Sequence, residues 1–189
     1  MSDRTIGILG LGIFGSSVLA ALAKHDMNII AIDDHEERIN QFESVLARGV
    51  VGDITDEELL RTAGIDTCDT VVVATGENLE SSVLAVMHCK SLGVPTVIAK
   101  VKSHTAKKVL EKIGADAVIS PEFEMGRSLA QTILFHNSVD VFQLDKNVSI
   151  VEMKIPQSWA GKSLSEEVFA QTALRKNESY LQKISHIDH

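Results

Sequence analysis

Along the first 120 residues, short and almost wholly apolar blocks alternate with longer blocks in which apolar residues recur every three or four positions. The short blocks are TIGILG (5–10), MNIIAID (27–33), TVVVATG (70–76) and TVIAKV (96–101), joined by the weaker RGVVGD (48–53) and DAVIS (116–120). Runs of this length that lack polar alternation predict strands covered by helices on both faces of a parallel sheet. The longer blocks at 15–25, 36–47, 56–64, 79–93 and 104–114 carry the spacing of amphipathic helices. Gly64, Gly93 and Gly114 stand where a left-handed residue closes such a helix. The order βαβαβαβαβαβ predicts a doubly wound parallel sheet, because parallel neighbours need right-handed helical crossovers.

Past the sixth strand the pattern changes. Residues 120–139 predict one helix whose Met125, Leu129, Ile133, Leu134 and Phe135 make a wide apolar stripe, a face on which two copies of the chain can meet. Residues 139–156 read as two strands and 158–169 as a turn and a short helix, after which the chain is polar. The fold class expected is α/β: a doubly wound, Rossmann-like parallel sheet over 1–120, a crossover helix over 121–139, and a short, incomplete α+β subdomain with a polar tail over 140–189.

The first strand runs into GLGIFG, residues 10 to 15. Gly10 permits a tight turn, Gly12 lets backbone amides approach a pyrophosphate, and Gly15 lets the next helix pack against the sheet. Ile13 and Phe14 fall inside the loop. The helix start then offers unpaired amides and a partial positive charge. A little over 20 residues beyond the first glycine, Asp33 and Asp34 end the second strand, placed to accept hydrogen bonds from ribose hydroxyls and to repel a 2′-phosphate. Asp53 and Ile54 follow the third strand and can face an adenine, although an Asp after Gly is also an ordinary turn residue. Thr75, Gly76 and Glu77 end the fourth strand at the edge where ligands of open sheets collect. Lys100 ends the fifth strand and Glu122 follows the sixth, a cation and an acid suited to a phosphate and a divalent ion, or simply solvated.

Charge and composition narrow the chemistry. A net charge of −8 argues against wrapping a nucleic acid, which demands a surplus of Lys and Arg. No apolar run reaches the about 20 residues of a membrane span, and no secretory leader is visible, so a cytoplasmic protein without direct membrane insertion is expected. Cys68 and Cys89 lack paired metal or redox spacing, and His186 with His189 lies in the polar end. A small NAD-dependent oxidoreductase is the competing reading, but Tyr180, the one tyrosine, has no lysine four residues on, and no substrate domain follows.

Taken in order, GLGIFG, IAIDDHEERI, GVVGDITDEELLRTAGI, DTVVVATGENLESS and VIAKVKSHTAKKVLEKIGADAVISPEFEMG resemble the RCK (TrkA-N) domain family of cytoplasmic subunits of Trk and Ktr potassium uptake systems. The resemblance covers about residues 4 to 140, and residues 141 to about 170 resemble the start of the family's C-terminal subdomain. It implies a non-catalytic regulatory subunit, peripheral to the inner face of the cell membrane. Homodimers would assemble into an octameric ring beneath a potassium-translocating membrane subunit. ATP, ADP or NAD(H) would alter the ring's shape. Family nucleotide contacts carry over onto Gly10, Gly12, Gly15, Asp33, Asp53, Thr75, Lys100 and Glu122, with Glu122 helping to hold Mg2+ or Ca2+ beside the phosphates. Two departures stand out. Ile13 replaces an Arg that in many members reaches the terminal phosphate, a charge-assisted contact worth about 1.5–3 kcal/mol. The C-terminal subdomain, where several relatives bind cyclic di-AMP, also stops early.

Overall fold

Six strands form one wholly parallel sheet in the order β3-β2-β1-β4-β5-β6. They are β1 (Thr5–Leu9), β2 (Asn28–Asp33), β3 (Arg48–Val51), β4 (Thr70–Val73), β5 (Thr96–Lys100) and β6 (Ala117–Ile119). Between them run α1 (Ile13–Leu22), α2 (Glu36–Asn40), α3 (Glu57–Ala63), α4 (Leu79–Ser91) and α5 (His104–Lys112). The computed structural model describes residues 4–75, 78–134, 138–143 and 149–153. The doubly wound α/β class follows directly from the near-continuous apolar strands. Successive residues of β1, β2 and β4 serve opposite cores. Ile6, Ile8, Ile29, Ala31 and Val72 pack with Leu19 of α1 and Ile39 of α2. Leu9, Ile30, Ile32, Val71 and Val73 pack with Leu60, Val86, Cys89 and Leu110 of α3, α4 and α5.

The amino edge of the sheet is locked by two matching aspartates. Asp69, just before β4, donates its N–H to the Thr5 carbonyl at 2.9 Å and accepts the Thr5 N–H on its carboxylate at 2.8 Å. Asp116, just before β6, does the same with Val97 at 2.9 and 2.7 Å, and Lys90 reaches its carboxylate at 3.0 Å. The Val97 N–H and the Lys90 ammonium hold the Asp116 carboxyl below the ordinary aspartate range. With register set at this end, the connections at the carboxyl edge are left to the site. The strand order reverses between β1 and β4, so the crevice that ligands of such sheets occupy opens beside β1.

Two elements differ from the sequence pattern. The helix expected over 36–47 stops at Asn40 and gives way to a 3₁₀ turn at Glu43–Val45. Pairing of β3 with β2 begins at once, with the Ala47 N–H on the Ile29 carbonyl at 2.9 Å, and this leaves no room for the last helical turn. The helix expected over 120–139 is α6 (Pro121–Leu134), and Ser138 and Val139 already belong to a strand. Pro121 sits at the first helical position, where its missing N–H costs nothing. Met125, Leu129 and Ile133 of the expected stripe are exposed, as is Phe123.

The chain divides after Phe123 into two compact units. In the second, β7 (Ser138–Gln143) and β8 (Ser149–Met153) form an antiparallel pair with an irregularity between Ser138 and Asp140. The turn and helix expected over 158–169, the polar tail with Tyr180, His186 and His189, and Phe135 lie outside the described residues. Among the described residues no helix is long and apolar enough to cross a membrane.

Ile8 is fully buried at the centre of the sheet. Replacing it with Ala removes about 2–5 kcal/mol of stability. In urea this appears as a lower midpoint with an unchanged slope.

Candidate functional site

The loop from β1 to α1 is bent by Gly10, whose φ of +94° is a left-handed conformation that glycine adopts without strain. The Gly10 N–H donates to the Ile32 carbonyl of β2 at 2.8 Å, so the turn is tied to the neighbouring strand. Gly15 is required by closeness instead. A Cβ there would lie 1.9 Å from the Gly10 carbonyl oxygen and 3.1 Å from the Ala74 side chain. Helix α1 therefore lies directly on its own loop and on the end of β4.

Gly12 is different. Its φ of −64° and ψ of −172° suit any residue, and a Cβ built there would meet no atom within 4 Å. Nothing in the protein's own packing asks for glycine at this position. Helices α3, α4 and α5 are capped by the side chains of Asp56, Asn78 and Ser103. At α1 the capping position is Gly12 itself, which has no side chain, so the first-turn amides keep their hydrogen-bonding capacity. Ile13 is 92 % exposed at this mouth, and the first turn contains no acidic residue.

Asp33 lies beneath the loop and is only 2 % exposed. Its Oδ2 accepts the Leu11 N–H at 2.5 Å and its Oδ1 accepts the His35 N–H at 2.9 Å. Arg38 Nη1 lies 3.2 Å from Oδ1 and 3.3 Å from Oδ2. Burial acts to raise this carboxyl, but the two amides and the guanidinium outweigh it and hold Asp33 below the ordinary aspartate value. Asp34 is exposed and pairs with the His35 Nδ1. Leu11, His35 and Arg38 escaped the sequence reading. The Asp-x-x-x-x-Arg spacing across the β2–α2 turn is the signal that could have found the arginine.

The remaining candidates fall into two groups. Thr75 adjoins Gly10, for a Cβ on Gly10 would be 3.3 Å from the Thr75 nitrogen. Lys100, 12 % exposed at the end of β5, places its Nζ 2.8 Å from Glu122 Oε1 and 5.7 Å from the centre of the Phe14 ring. That hydrogen bond from Lys100 lowers the Glu122 carboxyl, with Lys102 adding to the effect. The structure thus gathers Gly10, Gly12, Gly15, Phe14, Asp33, Thr75, Lys100 and Glu122 along one edge. Asp53 stands beside them, since the Gly52 N–H donates to the Asp33 carbonyl at 3.0 Å. One Asp53 carboxylate oxygen, however, accepts both the N–H and the hydroxyl of Thr55 at 2.8 Å, the turn-forming role. Ile54 packs partly buried against the larger core. Gly76 and Glu77 lie outside the described residues.

A divalent ion at Glu122 finds no ready-made cage. Among the described residues the single group of three ligand side chains is Asp33, Asp34 and His35, where Asp33 is already engaged. The Glu122 carboxylate rests on an ammonium instead. Cys68 and Cys89 are buried, and burial pushes each thiol up to about 12, so both act as core residues and not as nucleophiles.

Fold and loop together define a Rossmann-like α/β domain. The chain belongs to the TrkA-N domain family, which it matches over residues 6–121. It is 35% identical over 161 residues to Ktr system potassium uptake protein C of Bacillus subtilis (strain 168), covering 85% of this chain and 73% of that one. Ktr system potassium uptake protein A of the same organism is 33% identical over 164 residues, covering 87% and 74%. Among solved structures, the GsuK channel bound to NAD is similar with a TM-score of 0.59 at 18% identity, covering 67% of this chain and 23% of that chain. GsuK bound to ADP has a TM-score of 0.58 at 18% identity, covering 67% and 33%.

The engaged carboxylate of Asp33 generates a pH-dependent prediction. Replacing it with Asn removes the charge from three donors and lowers stability by about 1.5–3 kcal/mol at pH 7. Because the folded-state pKa is lowered, the wild-type advantage is full above about pH 4 and fades as acid protonates the group. Urea unfolding of both proteins at pH 7 and pH 3 should therefore show a wide gap and then a narrow one.

Proposed function

We propose that this chain is a nucleotide-sensing regulatory subunit of a potassium uptake system. It holds ATP, ADP or NAD(H) over the glycine loop, and it is non-catalytic. The observation that carries the reading is Gly12: a glycine that the fold does not need, at the open mouth of an uncapped helix. A phosphate group in that space takes the amides of Gly12, Ile13 and Phe14 and occupies the volume a Cβ would fill. The kinship with two Ktr potassium uptake proteins and the fold shared with GsuK in its NAD- and ADP-bound forms support it.

In this reading the ribose lies against the end of β2, near Asp33 and the exposed Asp34. The adenine lies toward Asp53, and Thr75 borders the phosphates. Lys100 balances phosphate charge from the β5 end, steadied by Phe14 and Glu122. A divalent ion would be held by Glu122 with phosphate oxygens completing its shell. Ile13 presents no charge to a third phosphate, which favours a diphosphate or dinucleotide over ATP. The exposed row Phe123, Met125, Leu129 and Ile133 of α6 is the face on which two copies pair, and pairs build the ring that meets the membrane subunit on its cytoplasmic side. Ligand occupancy shifts the ring's shape by its differential affinity for the two arrangements.

Replacing Gly12 with Ala separates folding from binding. Stability should stay within about 1 kcal/mol of wild type, because the backbone angles suit alanine and the space is open. Titration calorimetry with ADP and NAD should show Kd at least about tenfold higher. Unchanged affinity in a folded Gly12→Ala protein would remove the phosphate from this loop. Turnover of NAD with any hydride donor or acceptor would replace the sensor with an oxidoreductase.

A further inference from the structure

The carboxylate of Asp33 has about four acceptor positions, and four hydrogen bonds take them up, with the His35 ring nitrogen Nδ1 a further neighbour 3.5 Å from Oδ1. One on each oxygen belongs to a backbone amide, Leu11 on Oδ2 at 2.5 Å and His35 on Oδ1 at 2.9 Å. The other position on each oxygen belongs to Arg38, through the single nitrogen Nη1, at 3.2 and 3.3 Å. The two kinds of contact differ in strength and in freedom. The amides are part of the β1–α1 loop and the β2–α2 turn and cannot leave without unmaking them. Arg38 is an exposed residue on α2 whose one nitrogen is shared between two oxygens, instead of the two-nitrogen fork that makes arginine pairs strong.

We propose that Arg38 is a built-in competitor at the ribose subsite: it covers the two acceptors of Asp33 that ribose needs, is displaced only by a ligand bringing two donors of its own, and so sets how strongly the site prefers a ribose. This rests on the nucleotide-binding role proposed above. A vicinal diol carries two O–H groups on adjacent carbons, a spacing that matches the two oxygens of one carboxylate. When Arg38 swings out, one lone pair on Oδ1 and one on Oδ2 open together while Leu11 and His35 keep theirs. A ligand with one hydroxyl, or none, cannot replace both contacts without leaving a buried charge partly unsatisfied, so Arg38 stays in place and that ligand does not use the carboxylate. The arginine thus keeps the buried carboxylate paired in the free protein and imposes on ribose-bearing ligands alone the cost of displacing it, which moderates the preference for ribose. An arginine held in place could instead receive a 2′-phosphate, and that alternative is an outcome of the test.

Calorimetry on the full chain with ADP, 2′,3′-dideoxy-ADP, NAD and NADP, for wild type and Arg38→Gln, decides it. Removing the competitor should tighten ADP and NAD by about fivefold and leave the dideoxy analogue unchanged, so the preference for ribose widens. Arg38→Lys, which keeps the charge, should fall between the two proteins. Matching urea midpoints confirm that the variants are folded. An equal change for ADP and its dideoxy analogue, or weaker ADP binding in Arg38→Gln, overturns the proposal. So does a wild-type preference for NADP that disappears in the variant. Binding of ADP that is indifferent to Arg38 sinks this inference alone, whereas a wild-type chain that binds no adenine nucleotide sinks the proposed function with it.

Discussion

A single buried hydrogen bond, from the Leu11 amide to the carboxylate of Asp33, joins the two halves of the site. It can form because β1 and β2 pair in register from Thr5 with Asn28 to Leu9 with Ile32, which brings the end of one strand level with the start of the next connection. Gly10 then turns the chain in a left-handed conformation, and its own N–H is taken by Ile32. The amide of Leu11 is thereby aimed at Asp33, and α1 starts in a fixed direction. Were the carboxylate absent, the Leu11 and His35 amides and Arg38 would all lose their acceptor, and the loop would be left with the Gly10–Ile32 hydrogen bond as its tie to β2.

From that anchor the electrostatics of the edge follow. The chain as a whole is acidic, with a net charge of −8, yet the mouth of α1 has no acid in its first turn. The helix contributes partial positive charge there, and Lys100 stands behind Phe14 with its ammonium on Glu122. At this edge Asp33 is neutralised by Arg38 and Glu122 rests on Lys100, whereas Asp34 and Asp53 stay exposed to the side of the helix mouth. An anion of modest size is therefore welcomed at one point on a surface that repels anions elsewhere.

Much of this was legible in the chain. Strands buried on both faces leave a near-continuous apolar signature, and a glycine loop between a strand and a helix is a local pattern, so the doubly wound sheet and Gly10, Gly12 and Gly15 could be read directly. Spacing shows adjacency along the chain but not which groups satisfy one another across it. Asp33 read as a free ribose acceptor, whereas folding gives it two amides and an arginine. Glu122 read as a metal ligand or a solvated acid, and folding sets it on Lys100. Asp53 had two readings, and Thr55 takes up the turn-forming one. The early end of α2 was hidden for a similar reason: its sequence continues the helical period, but the pairing of Ala47 with Ile29 overrides it.

The account makes one loop the place where ligand chemistry enters the molecule, with its geometry set in advance by Asp33. A titration of ADP into 15N-labelled protein, following the backbone amides of residues 10 to 15, tests this most directly. Saturating movement of Gly12, Ile13 and Phe14, with Leu11 held in its bond to Asp33, is the result expected. Saturable binding that leaves those three amides still, or that moves only amides at the opposite, amino edge around Asp69 and Asp116, contradicts it.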